Sequence, residues 1–290
     1  MIIDSHAHYA HKLYTGEFDY LGNDADGFCL RRGDRQALLE DMQAEGIKVV
    51  IEPSTGLDRI KEQLTLAKTW NGRMHLAFGV HPKQCIDTLW EERERLEAYV
   101  QSYSVVAIGE TGLDYSMKDR DCEPACQKQW FDYQIALAHG QSLPLILHIR
   151  EAERDALEML RLHRDRLHGG VAHCFYGAYE TAKAYMDLGF ALGVGGKIWD
   201  KGLEGEQLRE TVRQIPLSAI LVETDAPYIR PEITHLADSR KRRQKVRNSS
   251  LILPRVVETI ANLRSLPLDL VENTIYQNTL RVFRLHEEDQ

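Results

Sequence analysis

Three polar residues alternate within the first ten positions, Asp4, His6 and His8 of MIIDSHAHYA. A β-strand repeats every two residues, so their side chains share one face. Met1, Ile2 and Ile3 supply the apolar run that such a strand needs. Imidazole and carboxylate converging from one strand end could hold a divalent metal. Taken alone, the stretch reads equally as a frayed strand with surface histidines. What decides is whether ligand-type residues recur at equivalent places further along.

They do recur. GVHP carries His81, GETGLD carries Glu110 and Asp114, and LHIR carries His148 and Arg150. AHCF carries His173, and VETDAP carries Glu223 and Asp225. A single buried histidine is usually a satisfied core residue. Histidines at the ends of strand after strand point instead to a metal centre. Four histidines and two carboxylates exceed the needs of one tetrahedral zinc with an open position. They suit two neighbouring divalent ions sharing a carboxylate, a site suited to in-line displacement at phosphorus. Asp4 shares the His6 face but lies deeper, and is expected to orient a ligand histidine. His11, His75, His139, His163, His168, His235 and His286 fall away from strand ends and are assigned no role.

The elements that must position these residues are legible as short apolar runs. They cover 1–6, 47–53, 74–80, 104–110, 143–148, 170–175, 190–196 and 219–225. Several are apolar on both faces, as parallel strands covered by helices are. Helical spacing fills much of the intervening sequence, including 35–46, 57–70, 126–140, 150–163 and 179–190. A last helix is expected to begin near Pro254, which would sit badly inside one. Eight strands alternating with helices predict an α/β fold, a (β/α)8 TIM barrel, as one domain over 1–290. Barrel active sites lie at strand C-termini. The segment 9–33 is expected to be a long loop over that mouth.

Composition narrows the function. The net charge is −8, which argues against broad electrostatic coating of nucleic acid. One basic run, Arg240 to Arg247, stands out, either as a solvated face or as a contact for an anionic substrate. The five cysteines are scattered and odd in number, so they read as reduced thiols. No apolar stretch approaches the roughly 20 residues of a membrane span. No signal-peptide pattern opens the chain, so a cytoplasmic protein is expected.

Taken together, the motifs resemble the TatD family of metal-dependent deoxyribonucleases. The marks are DSHAH at 4–8, GVHP at 79–82, GETGLD at 109–114 and LHIR at 147–150. HCF at 173–175, ETDAPY at 223–228, RN at 247–248 and NTLRVF at 278–283 complete them. The resemblance implies a barrel of the metallo-dependent hydrolase type. It also implies two divalent ions (Zn, Mg, Mn, Fe or similar), with a third in some members. The implied activity is hydrolysis of DNA phosphodiesters, often 3′→5′ on single strands, with no membrane partner. Carried over, His6, His8 and Asp225 hold one ion. His148 and His173 hold the other, with Glu110 bridging. His81 faces the scissile phosphate or a third ion, and Arg150 and Tyr228 contact substrate. Catalysis then falls to Asp225, Glu110 and His81, with Asp225 orienting and deprotonating the attacking water. The chain departs from the family pattern at Lys83 and Gln84, where a second histidine often follows His-Pro. The same centre could polarise a carbonyl in a lactone, amide or aminoacyl-tRNA ester. A non-catalytic barrel keeping its metal as structure is the reading outside enzymes.

Overall fold

The computed structural model describes residues 1–25, 27–116, 124–233, 236 and 239–286. Ten strands are defined among them. They are β1 (Ile2–Asp4), β2 (Phe18–Asp24), β3 (Gly27–Gly33), β4 (Ile47–Pro53) and β5 (Met74–Phe78), then β6 (Val105–Asp114), β7 (Leu145–Arg150), β8 (Gly170–Ala172), β9 (Phe190–Val194) and β10 (Ile220–Val222). Eight form one parallel sheet in the order β1, β4, β5, β6, β7, β8, β9, β10. The two ends meet. Ser5 N donates to the Val222 carbonyl at 3.0 Å, and Asp225 N donates to the His6 carbonyl at 2.9 Å. The sheet is thus closed into the expected barrel.

All eight barrel strands send side chains into the interior, β4 with Val49 as well as Ile51. Ile3, Ile51, Ala77, Ala107, Ile146, Val171, Ala191 and Leu221 form one buried cluster. Small alanines set among branched side chains let this ring close without a pore.

The helices are α1 (Arg35–Ala44), α2 (Ile60–Trp70), α3 (Arg93–Ser102), α4 (Pro124–Gly140) and α5 (Glu153–Leu162). They continue as α6 (Tyr179–Met186), α7 (Leu203–Gln214), α8 (Arg240–Arg243), α9 (Leu253–Arg264) and α10 (Leu268–Phe283). Pro254 occupies the first turn of α9, where its missing N–H costs nothing. Helix α10 brings Tyr276, Leu280 and Phe283 into the interior cluster.

The segment 9–33 is not one long loop. Residues 18–33 contain an antiparallel hairpin of β2 and β3. Gly, Asn and Asp in FDYLGND disguise the strand, because strands are depleted in these residues. Phe18, Tyr20 and Leu21 are buried. Arg247 adds a further rung: Leu21 N donates to its carbonyl at 3.0 Å, and its own N donates to the Asp19 carbonyl at 2.8 Å.

Candidate metal centre

His6 and His8 follow β1 directly, and the seam between β1 and β10 fixes their backbone against Asp225. Asp4 is the tie. One of its oxygens accepts from His6 N and Thr224 N, both at 3.1 Å. The other accepts from the Thr224 and Ser250 hydroxyls, both at 2.6 Å. Burial pushes this carboxyl up to about 7 despite those bonds. Asp4 was expected to orient a ligand imidazole; it holds the backbone of His6 instead. The carboxylate beside an imidazole is Glu223, whose Oε1 lies 2.9 Å from His173 Nδ1. It also accepts from Cys174 N, and burial pushes it up to about 8.

Glu110 sits at the centre of the cluster. Its Oε2 lies 3.4 Å from His6 Nε2 and 3.3 Å from His8 Nε2. Its Oε1 faces the other way, 3.0 Å from His148 Nδ1, 3.7 Å from His81 Nε2 and 3.9 Å from His173 Nε2. Gly112 permits the close approach of β6 to β7 here; at φ +140 a Cβ would run into the His148 carbonyl. Burial alone would raise Glu110, but His6, His81 and His148 outweigh it and hold the carboxyl well below the usual range. Asp225 behaves alike, burial being overcome by His173, His8 and His6.

The donor set fits a divalent ion. His6 Nε2 and His8 Nε2 face each other at 3.1 Å, and Asp225 Oδ1 lies 3.8 Å and 3.4 Å from them. Four ligands at zinc distances in a tetrahedron stand about 3.4 Å apart, so these separations match a shared cation. His6 Nδ1 is buried without a partner among the described residues. The expected second pair, His148 and His173, stand with ring centroids 6.2 Å apart, each also close to another histidine. His148 stands beside His81, ring centroids 4.2 Å apart, while His173 stacks on His6 at 3.4 Å. The close donor triads among the described residues are His6–His8–Asp225, His6–Glu110–His173, His81–Glu110–His148 and, behind His173, His173–Cys174–Glu223.

Hydrogen bonds at the far nitrogens sort the histidines. His8 Nδ1 faces the Pro53 carbonyl at 3.2 Å, so it carries the proton and leaves Nε2 free to ligate. His173 Nδ1 lies 2.9 Å from Glu223 Oε1, which leaves Nε2 turned toward Glu110 and Asp225. His81 is the opposite: its Nδ1 accepts from Lys83 N at 2.9 Å, which puts the proton on Nε2. Burial, then the neighbouring His148, lowers His81 well below its ordinary value, so its ring is neutral. His148 sits between two carboxylates, Glu110 and, at 3.1 Å from Nε2, Asp114; they overcome burial and raise it.

A cavity of about 580 Å³ opens over the cluster. Arg150 and Tyr228 line it, Tyr228 46% exposed at the rim. Residues the sequence reading passed over also line it. His11 packs edge-on against Tyr228 at 5.7 Å, and burial followed by the Arg59 charge lowers it to about 4. Glu52 accepts from Tyr9 N at 2.6 Å and Ala10 N at 3.0 Å, pinning the chain at the rim. Lys83 Nζ reaches Asp114 at 3.1 Å. His235 lies outside the described residues, as does Cys122; Cys126 donates to the Cys85 carbonyl at 3.3 Å.

A closed parallel barrel with histidines and carboxylates gathered at one mouth defines a metallo-dependent hydrolase. Sequence comparison specifies the kind. The family model described as TatD related DNase matches residues 3–284, and the chain belongs to the TatD family. It is 32% identical over 253 residues to the 3'-5' ssDNA/RNA exonuclease TatD of Pantoea vagans (strain C9-1), covering 87% of this chain and 94% of that one. It is 30% identical over 292 residues to the metal-dependent hydrolase YabD of Bacillus subtilis (strain 168), covering 99% and 100%. The crystal structure of YjjV, a TatD homologue from Escherichia coli K12, superimposes with a TM-score of 0.81 at 27% identity over 98% of each chain. No helix among the described residues is long and apolar enough to cross a membrane.

Proposed function

We propose that this metal-dependent hydrolase cleaves phosphodiester bonds of single-stranded DNA from the 3′ end, with RNA as a second substrate. The observation that carries the reading is the placement of Glu110, whose two oxygens address two separate sets of imidazoles. A bridging carboxylate of this kind suits a pair of divalent ions held by His6, His8 and Asp225 on one side, and by His148 and His173 on the other. Such ions, when bound, supply Lewis-acid charge at phosphorus and lower the pKa of the attacking water.

The chain's own groups do the rest. Asp225, below its ordinary pKa and at the cavity wall, orients the water and takes its proton. His81 offers a neutral Nε2–H to a non-bridging phosphate oxygen. The same hydrogen bond argues against His81 as a ligand of a third ion, because ligation through Nε2 would turn two N–H groups toward each other at Nδ1. Arg150 lines the cavity and shares its guanidinium with Cys174 Sγ at 3.3 Å, leaving other N–H groups for phosphate. Tyr228 offers an exposed ring on which a terminal base can stack.

The test is metal-reconstituted protein incubated with 5′-labelled single-stranded DNA and RNA, beside lactones, amides and carboxylic esters. A ladder shortening from the 3′ end is expected. Turnover of a carbonyl substrate with every phosphodiester left intact would sink the proposal.

A further inference from the structure

We propose that the basic segment 240–247 is the track along which a single nucleic-acid strand leaves the barrel mouth. The proposal rests on the nucleic-acid reading above and adds where the strand runs. The sequence RKRRQKVR places six cations in eight residues of a chain whose net charge is −8. The segment is anchored beside the mouth. Arg230, two residues beyond Tyr228, donates to the Arg243 carbonyl and to the Val246 carbonyl, the latter at 3.1 Å. Asn248 Nδ2 donates to the Tyr228 carbonyl at 2.8 Å and the Thr224 carbonyl at 3.0 Å. Val246 is buried, and Arg247 is a rung of the hairpin ladder.

Neighbouring arginines show what an internally satisfied cation looks like. Arg31 pairs with Asp41 at 3.0 Å and Glu45 at 2.6 Å. Arg32 reaches Asp19 at 3.3 Å, and Arg35 reaches Glu62 at 3.4 Å. Arg240, Lys241 and Lys245 are exposed and pair with no carboxylate among the described residues. A rigid mount, unspent positive charge and a position next to the rim match a phosphate backbone continuing away from the cleaved end. The 3′ terminus then lies in the cavity and the 5′ portion over α8.

The experiment compares the parent with the triple variant Arg240→Gln, Lys241→Gln, Lys245→Gln. A control triple, Lys48→Gln, Lys68→Gln, Arg161→Gln, removes the same charge at the start of β4 and the last turns of α2 and α5. The probe is a fluorescein-labelled, phosphorothioate-protected oligothymidylate, bound to metal-loaded protein and read by anisotropy against salt. Each phosphate contact on a single strand contributes about 0.7 to the slope of log affinity against log salt. Three lost contacts lower the slope by about 2, so the parent's advantage shrinks roughly 20-fold between about 50 and about 200 mM salt. The control triple keeps the parent's slope. Turnover of bis(p-nitrophenyl) phosphate, too short to reach α8, stays with the parent. Equal slopes for parent and track variant overturn the proposal, as does an equal loss in the control. Absence of phosphodiester turnover in the parent would remove the proposed activity, while the binding slopes would still decide the track.

Discussion

Replacing Glu223 with glutamine keeps the side chain's shape and removes its acidity. Glu223 Oε1 lies 2.9 Å from His173 Nδ1, and both groups are buried. Burial pushes the Glu223 carboxyl up to about 8 and holds His173 well below its ordinary value, so the two meet as a polar contact and not as an ion pair. Carboxylates behind ligand histidines are typically worth 10–100-fold in metal affinity, or about 1.4–2.7 kcal/mol. Glu223→Gln should weaken metal binding by that factor in a competition titration against a chromophoric chelator. At saturating metal its kcat should stay within about threefold of the parent, because the glutamine still accepts from Cys174 N and touches no substrate. Unchanged affinity would show that Glu223 does not hold His173. A kcat loss persisting at saturating metal would show that it handles a proton in the reaction.

Further outcomes follow from the same geometry. Excess EDTA should abolish activity and added divalent metal restore it; full turnover with no metal by elemental analysis would remove the metal reading. Asp225→Asn should cut kcat by about two to four orders of magnitude while much metal remains, whereas Glu110→Gln should lose metal. Metal content and kcat measured side by side decide this, and the reverse pattern would exchange the two roles. Asp4→Ala strands four hydrogen-bond donors in the seam and should cost about 3–5 kcal/mol, lowering Tm by about 5–8 °C; an unchanged melt would refute the tie between β1 and β10.

What could be read from sequence was what repeats. Parallel strands buried on both faces give apolar runs, and barrel ligands sit just after them, so His6, His148 and Asp225 declared themselves by position. The hairpin did not, because Gly22, Asn23 and Asp24 hide β2, and the further rung on it comes from Arg247, more than two hundred residues away. Nor did His11, whose proximity to the rim comes from how the chain turns after β1, nor the use Glu52 makes of its place near the end of β4, accepting from Tyr9 N and Ala10 N. Which carboxylate stands behind which imidazole was likewise hidden. Asp4 and Glu223 both lie next to ligand positions in the sequence, and only the pairing of β9 with β8 on one side and β10 on the other brings Glu223 to His173.

The barrel closes between its first strand and its last, and the candidate centre straddles that joint. His6 and His8 are made more than two hundred residues before Asp225. The contact between Ser5 and Val222 spans 217 positions, so closure is a late event of high contact order. A partly synthesised chain therefore holds only fragments of the ligand set and cannot assemble the centre. An ion held across the joint would also oppose its opening, since it binds the closed barrel and not the open chain.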